Sequence, residues 1–263
     1  MRKLSKLMLT LLMIAGVFGT ANAQLIDEKD VTVTMDLQPV LQLDMTTANQ
    51  LEFVFDDINE YYAGITNYAA TILKVSSTVS WDLYAVGRSS GSTAAGFWDQ
   101  QIDYGDNNTN AINQLPLSLL ELRQSQPNSG DANAVTLGTE NTDYSAAFSA
   151  NGVVSAANSL FTNADGSITA PTADDKYIAG HAGATGAGDF MPGGSYMTRT
   201  GTTSDYYYAM DYRILPSLPA IFPNAHSADG TTAQDIVSTN GAGTYAEPGV
   251  YTMYVQYVLL EDQ

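Results

Sequence analysis

Cysteine is absent from all 263 residues, histidine occurs twice, and ten basic residues stand against 28 acidic ones. Without cysteine there is no disulfide, no thiolate metal ligand and no lipid-bearing residue, so stability must come from a core, from bound ions or from assembly. His181 and His226 lie 45 positions apart and match no HExxH spacing, which removes the zinc sites built from His and Cys. The shortage of positive charge argues against nucleic-acid partners and against electrostatic docking on anionic lipid. Long apolar runs are also missing. The longest, Leu7 to Phe18, is about a dozen residues, against the roughly 20 that span a bilayer.

That short run has the flanks of a secretory signal. Arg2, Lys3 and Lys6 form a positive start, and Ala21-Asn22-Ala23 offers the small residues that a signal peptidase requires. The expectation is a signal peptide over 1–23, cleavage before Gln24, and export to the bacterial periplasm, the cell surface or the extracellular space. No integral membrane segment is expected after cleavage. Seven basic residues then remain (Lys29, Lys74, Arg88, Arg123, Lys176, Arg199, Arg213) against 28 acidic ones, a net charge of −21 with histidine neutral. A mature chain over 24–263 is long enough for one sizeable core.

Period-2 alternation dominates the mature chain. Val31, Val33, Met35 and Leu37 alternate with polar residues, and after Pro39 the pattern resumes at Leu41, Leu43 and Met45. Leu51, Phe53 and Phe55 repeat it. The run from Thr71 to Val75 and the series Val79, Trp81, Leu83, Ala85 predict a hairpin through Ser76-Ser77-Thr78. Tyr206 to Leu215 predicts a further strand. After Gly249, the series Tyr251, Met253, Val255, Tyr257 and Leu259 predicts one long strand near the C-terminus. Helical patterning is thin: a turn or two between Asp57 and Tyr68, while Leu115 to Arg123 reads equally as helix or strand. No strand–helix–strand rhythm appears, so the expected class is all-β, an antiparallel β-sandwich. Residues 124–205, rich in Gly, Ala, Ser and Asn, are expected as a loop-rich insertion in a single domain that carries its own short hairpins or ordered turns.

Four groups of residues raise the question of chemistry. Gly87-Arg88-Ser89-Ser90-Gly91 matches G-x-S-x-G, but the helix that must follow the serine is not patterned, so a strand-end turn is the better account. Asp103, Asp106, Asn108 and Asn110 gather oxygen ligands in one loop. Calcium is the cofactor such a loop can hold, although Ala111 and Leu117 break the EF-hand spacing; solvated turn-forming residues are the alternative. Asp56-Asp57 with Asn59-Glu60 poses the same choice. Tyr61-Tyr62, Phe97-Trp98 and Tyr206-Tyr207-Tyr208 offer aromatic faces for stacking on glycans, or are ordinary strand residues.

The alternating segment at Val31, Val33, Met35 and Leu37, with the strand from Tyr251 to Leu259 after Gly249, resembles pilus-subunit-type bacterial surface proteins with immunoglobulin-like sandwich domains. Asp262, where chaperone–usher subunits carry an aromatic, and the lack of a cysteine pair set the chain apart from that subgroup. The resemblance implies an immunoglobulin-like fold in which Val31, Val33, Met35 and Leu37 can complete a neighbour's sheet. The expected function is a non-enzymatic surface, matrix or filament subunit whose partners are further copies or other surface proteins. A carbohydrate-binding or adhesin module is the alternative, and a secreted hydrolase a second one.

Overall fold

The computed structural model describes residues 29–79, 81–105, 108–127, 144, 146–150, 154–163, 165–171, 176–179, 206–216, 222 and 235–261. The chain divides into a leading unit, Met1–Gln38, and a body that begins at Pro39.

In the leading unit, residues 29–38 carry no strand or helix. The strand expected over 31–37 is therefore not formed. Its four apolar side chains stand in solvent, 83, 85, 78 and 82 % exposed at Val31, Val33, Met35 and Leu37. Alternation prepares a segment for a sheet, but a strand exists only where its N–H and C=O groups find a partner.

The body is all-β in character, with mainly antiparallel sheets, two short α-helices and a 3-10 helix at Leu117–Leu119 among the described residues. The strands are β1 (Leu41–Met45), β2 (Ile65–Ser77), β3 (Trp81–Arg88), β4 (Asp99–Asp103), β5 (Ala111–Ile112), β6 (Leu120–Pro127), β7 (Tyr177–Ala179), β8 (Tyr206–Ile214), β9 (Tyr245–Ala246), β10 (Gly249–Thr252) and β11 (Tyr254–Glu261); helices α1 and α2 span Ile58–Ala63 and Ile236–Asn240. One antiparallel sheet has the order β1-β2-β8-β6 and a second the order β11-β3-β7. Two-stranded pairs β10-β4 (antiparallel) and β5-β9 (parallel) flank them.

The two larger sheets share one core, a sandwich-like arrangement. Leu73 and Val75 from β2, Leu122 from β6, and Tyr208, Met210 and Tyr212 from β8 meet Trp81, Leu83 and Ala85 from β3, with Val255, Tyr257 and Leu259 of β11 packed against them. Trp81 is fully buried and meets Tyr208 edge to face, with ring centroids 6.3 Å apart. β3 is buried on both faces. Its outward residues Tyr84 and Val86 lie in a second apolar cluster with Phe161 and Tyr177, and the Tyr84 and Tyr177 hydroxyls donate to the carbonyls of Ile168 and Pro171 at 2.5 and 3.0 Å. Part of the expected insertion thus covers the outer face of this sheet.

Three further expectations need correction. β2 and β3 are not a hairpin: β2 pairs with β1 and β8, β3 with β11 and β7, so the chain passes from one sheet to the other between Ser77 and Trp81. Ser77 Oγ holds the start of this crossing by donating to the Val79 carbonyl at 2.7 Å and accepting from its N–H at 3.0 Å. Alternation identifies the buried face of a strand, not its neighbour, and both runs do face the shared core. Residues 51–55 form no strand, although Phe53 and Phe55 pack on the core. The long C-terminal strand is broken at Met253 into β10 and β11, which pair with different partners. At the start of β10 only glycine fits, since a Cβ on Gly249 would sit 2.5 Å from the Ile102 carbonyl oxygen of β4.

The outward face of β6 and β8 carries charge that is nonetheless buried. Glu121 and Arg213 are cross-strand partners, and the guanidinium holds the carboxylate through Nε and through Nη2, the latter at 2.9 Å. Nη1 of Arg213 reaches the Ser149 carbonyl at 2.9 Å, and Phe148 stacks 4.7 Å from the guanidinium carbon. Residues 148 and 149 therefore lie against this pair and close it from solvent. Two residues further along both strands, Arg123 faces Asp211 at 3.6 Å, and Asp211 also accepts the Ala69 N–H at 2.7 Å where β2 bulges.

Candidate docking groove

A concave feature of the body opens between the two large sheets, with a volume of about 970 Å³. Tyr212 and Ile214 of β8 supply one wall, and Met253, Val255 and Tyr257 supply another. Residues 48–55 run along it, contributing Phe53 and Phe55, while Trp98 lines it further on. The break at Met253 helps to shape the space: β10 leaves to pair with β4, so the wall continues as Tyr251 rather than as more of β11.

The two sheets touch polar to polar inside it. The Tyr212 hydroxyl donates to Thr71 Oγ1 at 2.6 Å and makes a short hydrogen bond with the Tyr257 hydroxyl from the opposite sheet. Burial pushes both tyrosines above the ordinary phenol value, Tyr257 furthest, where the neighbouring Tyr212 adds to the effect; the hydrogen bonds shared with Thr71 and Tyr257 partly offset it at Tyr212. Tyr251 is raised as well, first by burial and then by the carboxylates of Glu247 and Asp103. These hydroxyls stay neutral at physiological pH. The groove thus offers an apolar lining with neutral hydrogen-bonding groups, which suits an extended apolar chain better than a charged ligand.

The ladders beside the groove are incomplete. β11 pairs with β3 on one side and forms no ladder with any other described strand, although β1 runs close to it. β1 pairs with β2 only from Leu73 to Ser77, so from Ile65 to Thr71 that edge of β2 has no strand partner among the described residues. No protein-family model matches the chain, and no curated protein matches it.

The residues singled out in the sequence fall elsewhere. Asp103 ends β4, and its Oδ1 accepts the Gly105 N–H at 2.6 Å; Asn108 Oδ1 accepts the Asn110 N–H at 3.0 Å. Both side chains are engaged in Asx turns, and Asp106 lies outside the described residues. No cluster of three or more His, Cys, Asp or Glu side chains suited to a metal ion occurs among the described residues. The acidic group at 56–60 is a helix start: Asp57 accepts the Asn59 N–H at 2.7 Å while Glu60 Oε2 accepts those of Asp56 and Asp57 at 2.9 and 3.2 Å, a capping box for α1.

Ser89 follows β3 in irregular chain, with no helix after it. The serine-rich turn is organised by Asp99, which is buried and accepts the N–H groups of Ser90 and Ser92 at 2.5 and 2.8 Å and the Ser92 hydroxyl at 2.9 Å. Burial alone would raise Asp99, but these bonds outweigh it and hold the carboxyl below its usual range. His181 and His226 lie outside the described residues. Tyr206-Tyr207-Tyr208 form the start of β8, where a strand was expected, with Tyr208 in the core. Trp98 packs on the core and donates from Nε1 to the Pro116 carbonyl at 3.1 Å.

Sequence reasoning missed the groove itself. One signal was available: Tyr212 and Tyr257 occupy inward positions in the alternation of their strands, and an inward tyrosine requires a hydroxyl partner.

Proposed function

We propose that this chain is an exported, non-enzymatic subunit of a surface structure, matrix or filament, built on an immunoglobulin-like sandwich and assembled by donation of its N-terminal segment to a neighbouring copy. The observation that carries this reading is the state of Val31, Val33, Met35 and Leu37. Four apolar side chains with strand spacing, all about four-fifths exposed, are a costly feature to leave in water. Their pattern is that of a strand which finds its ladder in another chain. The edge of β2 from Ile65 to Thr71, without a strand partner among the described residues, supports the same reading from the acceptor side.

The test uses the full chain with a single cysteine introduced at Thr34 and a photoreactive cross-linker attached there. Light scattering and electron microscopy at rising protein concentration, with and without calcium, should show oligomers or filaments. Cross-links from position 34 should join different copies. A strictly monomeric protein at high concentration overturns the filament reading and shifts the assignment to an adhesive module, for which glycan-array binding is the next measurement.

A further inference from the structure

We propose that the groove between the sheets binds a small uncharged alcohol with a long apolar body, its hydroxyl lying inward against Tyr257 and its body running out to the groove mouth. This site goes beyond the filament reading and does not depend on it.

Apolar surface is concentrated at this one opening. Among the described residues of the body, eleven large apolar or aromatic side chains are exposed, and six of them, Met45, Leu51, Val54, Ile58, Tyr104 and Tyr254, line the groove. Single exposed apolar residues are ordinary on a protein surface, but a rim of them around a concave space marks a place where apolar matter docks. Behind the rim, the half-buried Phe53, Phe55, Trp98 and Val255 pack on the core and face the groove. The volume of about 970 Å³ falls at the upper end of the range of about 300–1,000 Å³ usual for small-molecule sites.

The charge on the walls selects against anions. Glu52 and Glu247 line the groove, and no Lys, Arg or His does so among the described residues. Beyond the effect of burial, the carboxylates of Glu247 and Asp103 hold the Tyr251 hydroxyl protonated, and the same field repels an anion entering beside it. A fatty acid or a phosphate headgroup therefore enters against charge of its own sign. A cation is disfavoured for another reason: at the inner end it meets neutral hydroxyls, which do not offset the loss of its water.

The hydroxyl on the ligand follows from counting protons at the inner end. Each hydroxyl there has one proton to donate and two lone pairs with which to accept. Tyr212 gives its proton to Thr71, so the short bond between Tyr212 and Tyr257 is donated by Tyr257. Thr71 keeps the one uncommitted proton, with Tyr257 in reach as its acceptor. With that third bond closed or open, at least three lone pairs and at most one proton are left over. The cluster is short of donors, so the group it accepts best is itself a donor, which an alcohol supplies and an ether does not. Tyr212 and Thr71 are buried, and Tyr257 is the member that keeps part of its surface open.

The test uses the full chain at low concentration with three probes: 1-decanol, its isomer 1-methoxynonane, which lacks the donor, and decanoate, which adds a negative charge. Trp98 lines the groove and Trp81, the second of the two tryptophans, is fully buried, so intrinsic fluorescence reports binding. At pH 8, 1-decanol should bind saturably, at least about threefold more tightly than 1-methoxynonane and about tenfold more tightly than decanoate. Tyr257→Phe should remove most of the preference for the alcohol while leaving the ether nearly unaffected; a merely structural effect would weaken both. Val54→Asp, at an exposed rim position, should weaken 1-decanol about fivefold. Absence of saturable 1-decanol binding, equal affinity for the ether, equal or tighter binding of decanoate, or an alcohol preference that survives Tyr257→Phe each overturns the proposal. A chain that stays monomeric yet binds 1-decanol with this pattern keeps the site and loses only the filament reading.

Discussion

Replacing Arg213 with methionine should be among the most damaging single changes on the outer face of the four-stranded sheet. Glu121 is fully buried, and the Arg213 guanidinium grips both of its oxygens. Removing the cation takes the gripping countercharge from a buried carboxylate, for which the expected cost is about 3–5 kcal/mol. For a chain of this size each kcal/mol lowers Tm by about 2–4 °C, so the fall should be roughly 6–20 °C. Glu121→Gln should also destabilise the fold, since it removes the countercharge of a buried guanidinium and leaves one amide oxygen where two carboxylate oxygens accepted. The double change Glu121→Leu with Arg213→Met should recover most of the loss, because a well-packed apolar pair of similar volume replaces a desolvated ion pair. In Arg213→Met alone the loss should shrink as pH falls, since a proton neutralises the buried carboxylate that has lost its countercharge. Urea denaturation of the wild type, both single variants and the double variant at several pH values reads all of these. Single-variant losses below about 1 kcal/mol, the range of exposed pairs, would refute the reasoning by showing that water reaches the site.

Alkaline pH should destabilise the fold in a defined window. Tyr177, Tyr212, Tyr251 and Tyr257 all have folded-state pKa values above the ordinary 10, with burial as the leading cause. Their contribution is fully present below about pH 10 and is lost as pH rises beyond it, by about 1.4 kcal/mol per pH unit for each tyrosine that ionises only on unfolding. Absorbance in the near ultraviolet, where phenolate absorbs, should show one group of tyrosines titrating freely and another appearing only with loss of near-ultraviolet dichroism; uniform titration with the fold intact would contradict this. Gly249→Ala should cost about 1–3 kcal/mol, because the added methyl meets the Ile102 main-chain oxygen and β10 must move from β4. Unchanged denaturation midpoints would mean that the two strands are not so closely spaced.

Local structure was legible in the sequence. β1, β3, β8 and β11 follow the alternation closely, because an inward face must be apolar wherever a sheet meets a core. Partner choice was hidden: the serines after Val75 read as a hairpin turn, yet nothing local distinguishes a turn within one sheet from a crossing between two. Residues 51–55 show the limit of the pattern, with the side-chain spacing of a strand and no main-chain partner. The burial of the outward charges on β6 and β8 is invisible in the sequence, because the residues that cover them, Phe148 and Ser149, are more than 60 positions away from Arg213. The groove was illegible for the same reason, since its walls come from distant strands and from an irregular stretch.

The placement of the cations governs how copies of the chain meet at longer range. Arg88 bonds the Gly166 carbonyl and Gln256, Arg123 faces Asp211, Lys176 donates to the Ala156 and Ser159 carbonyls, and Arg213 grips Glu121. Four of the ten basic residues thus act as internal clamps in a chain with 28 carboxylates. Two such bodies approaching one another meet mutual repulsion until counterions intervene. The range of that repulsion shrinks from about 30 Å in 0.01 M salt to about 8 Å at physiological ionic strength. Dilute buffer therefore keeps copies apart, and any contact between them forms at close quarters, in a medium salty enough to hide most of their charge.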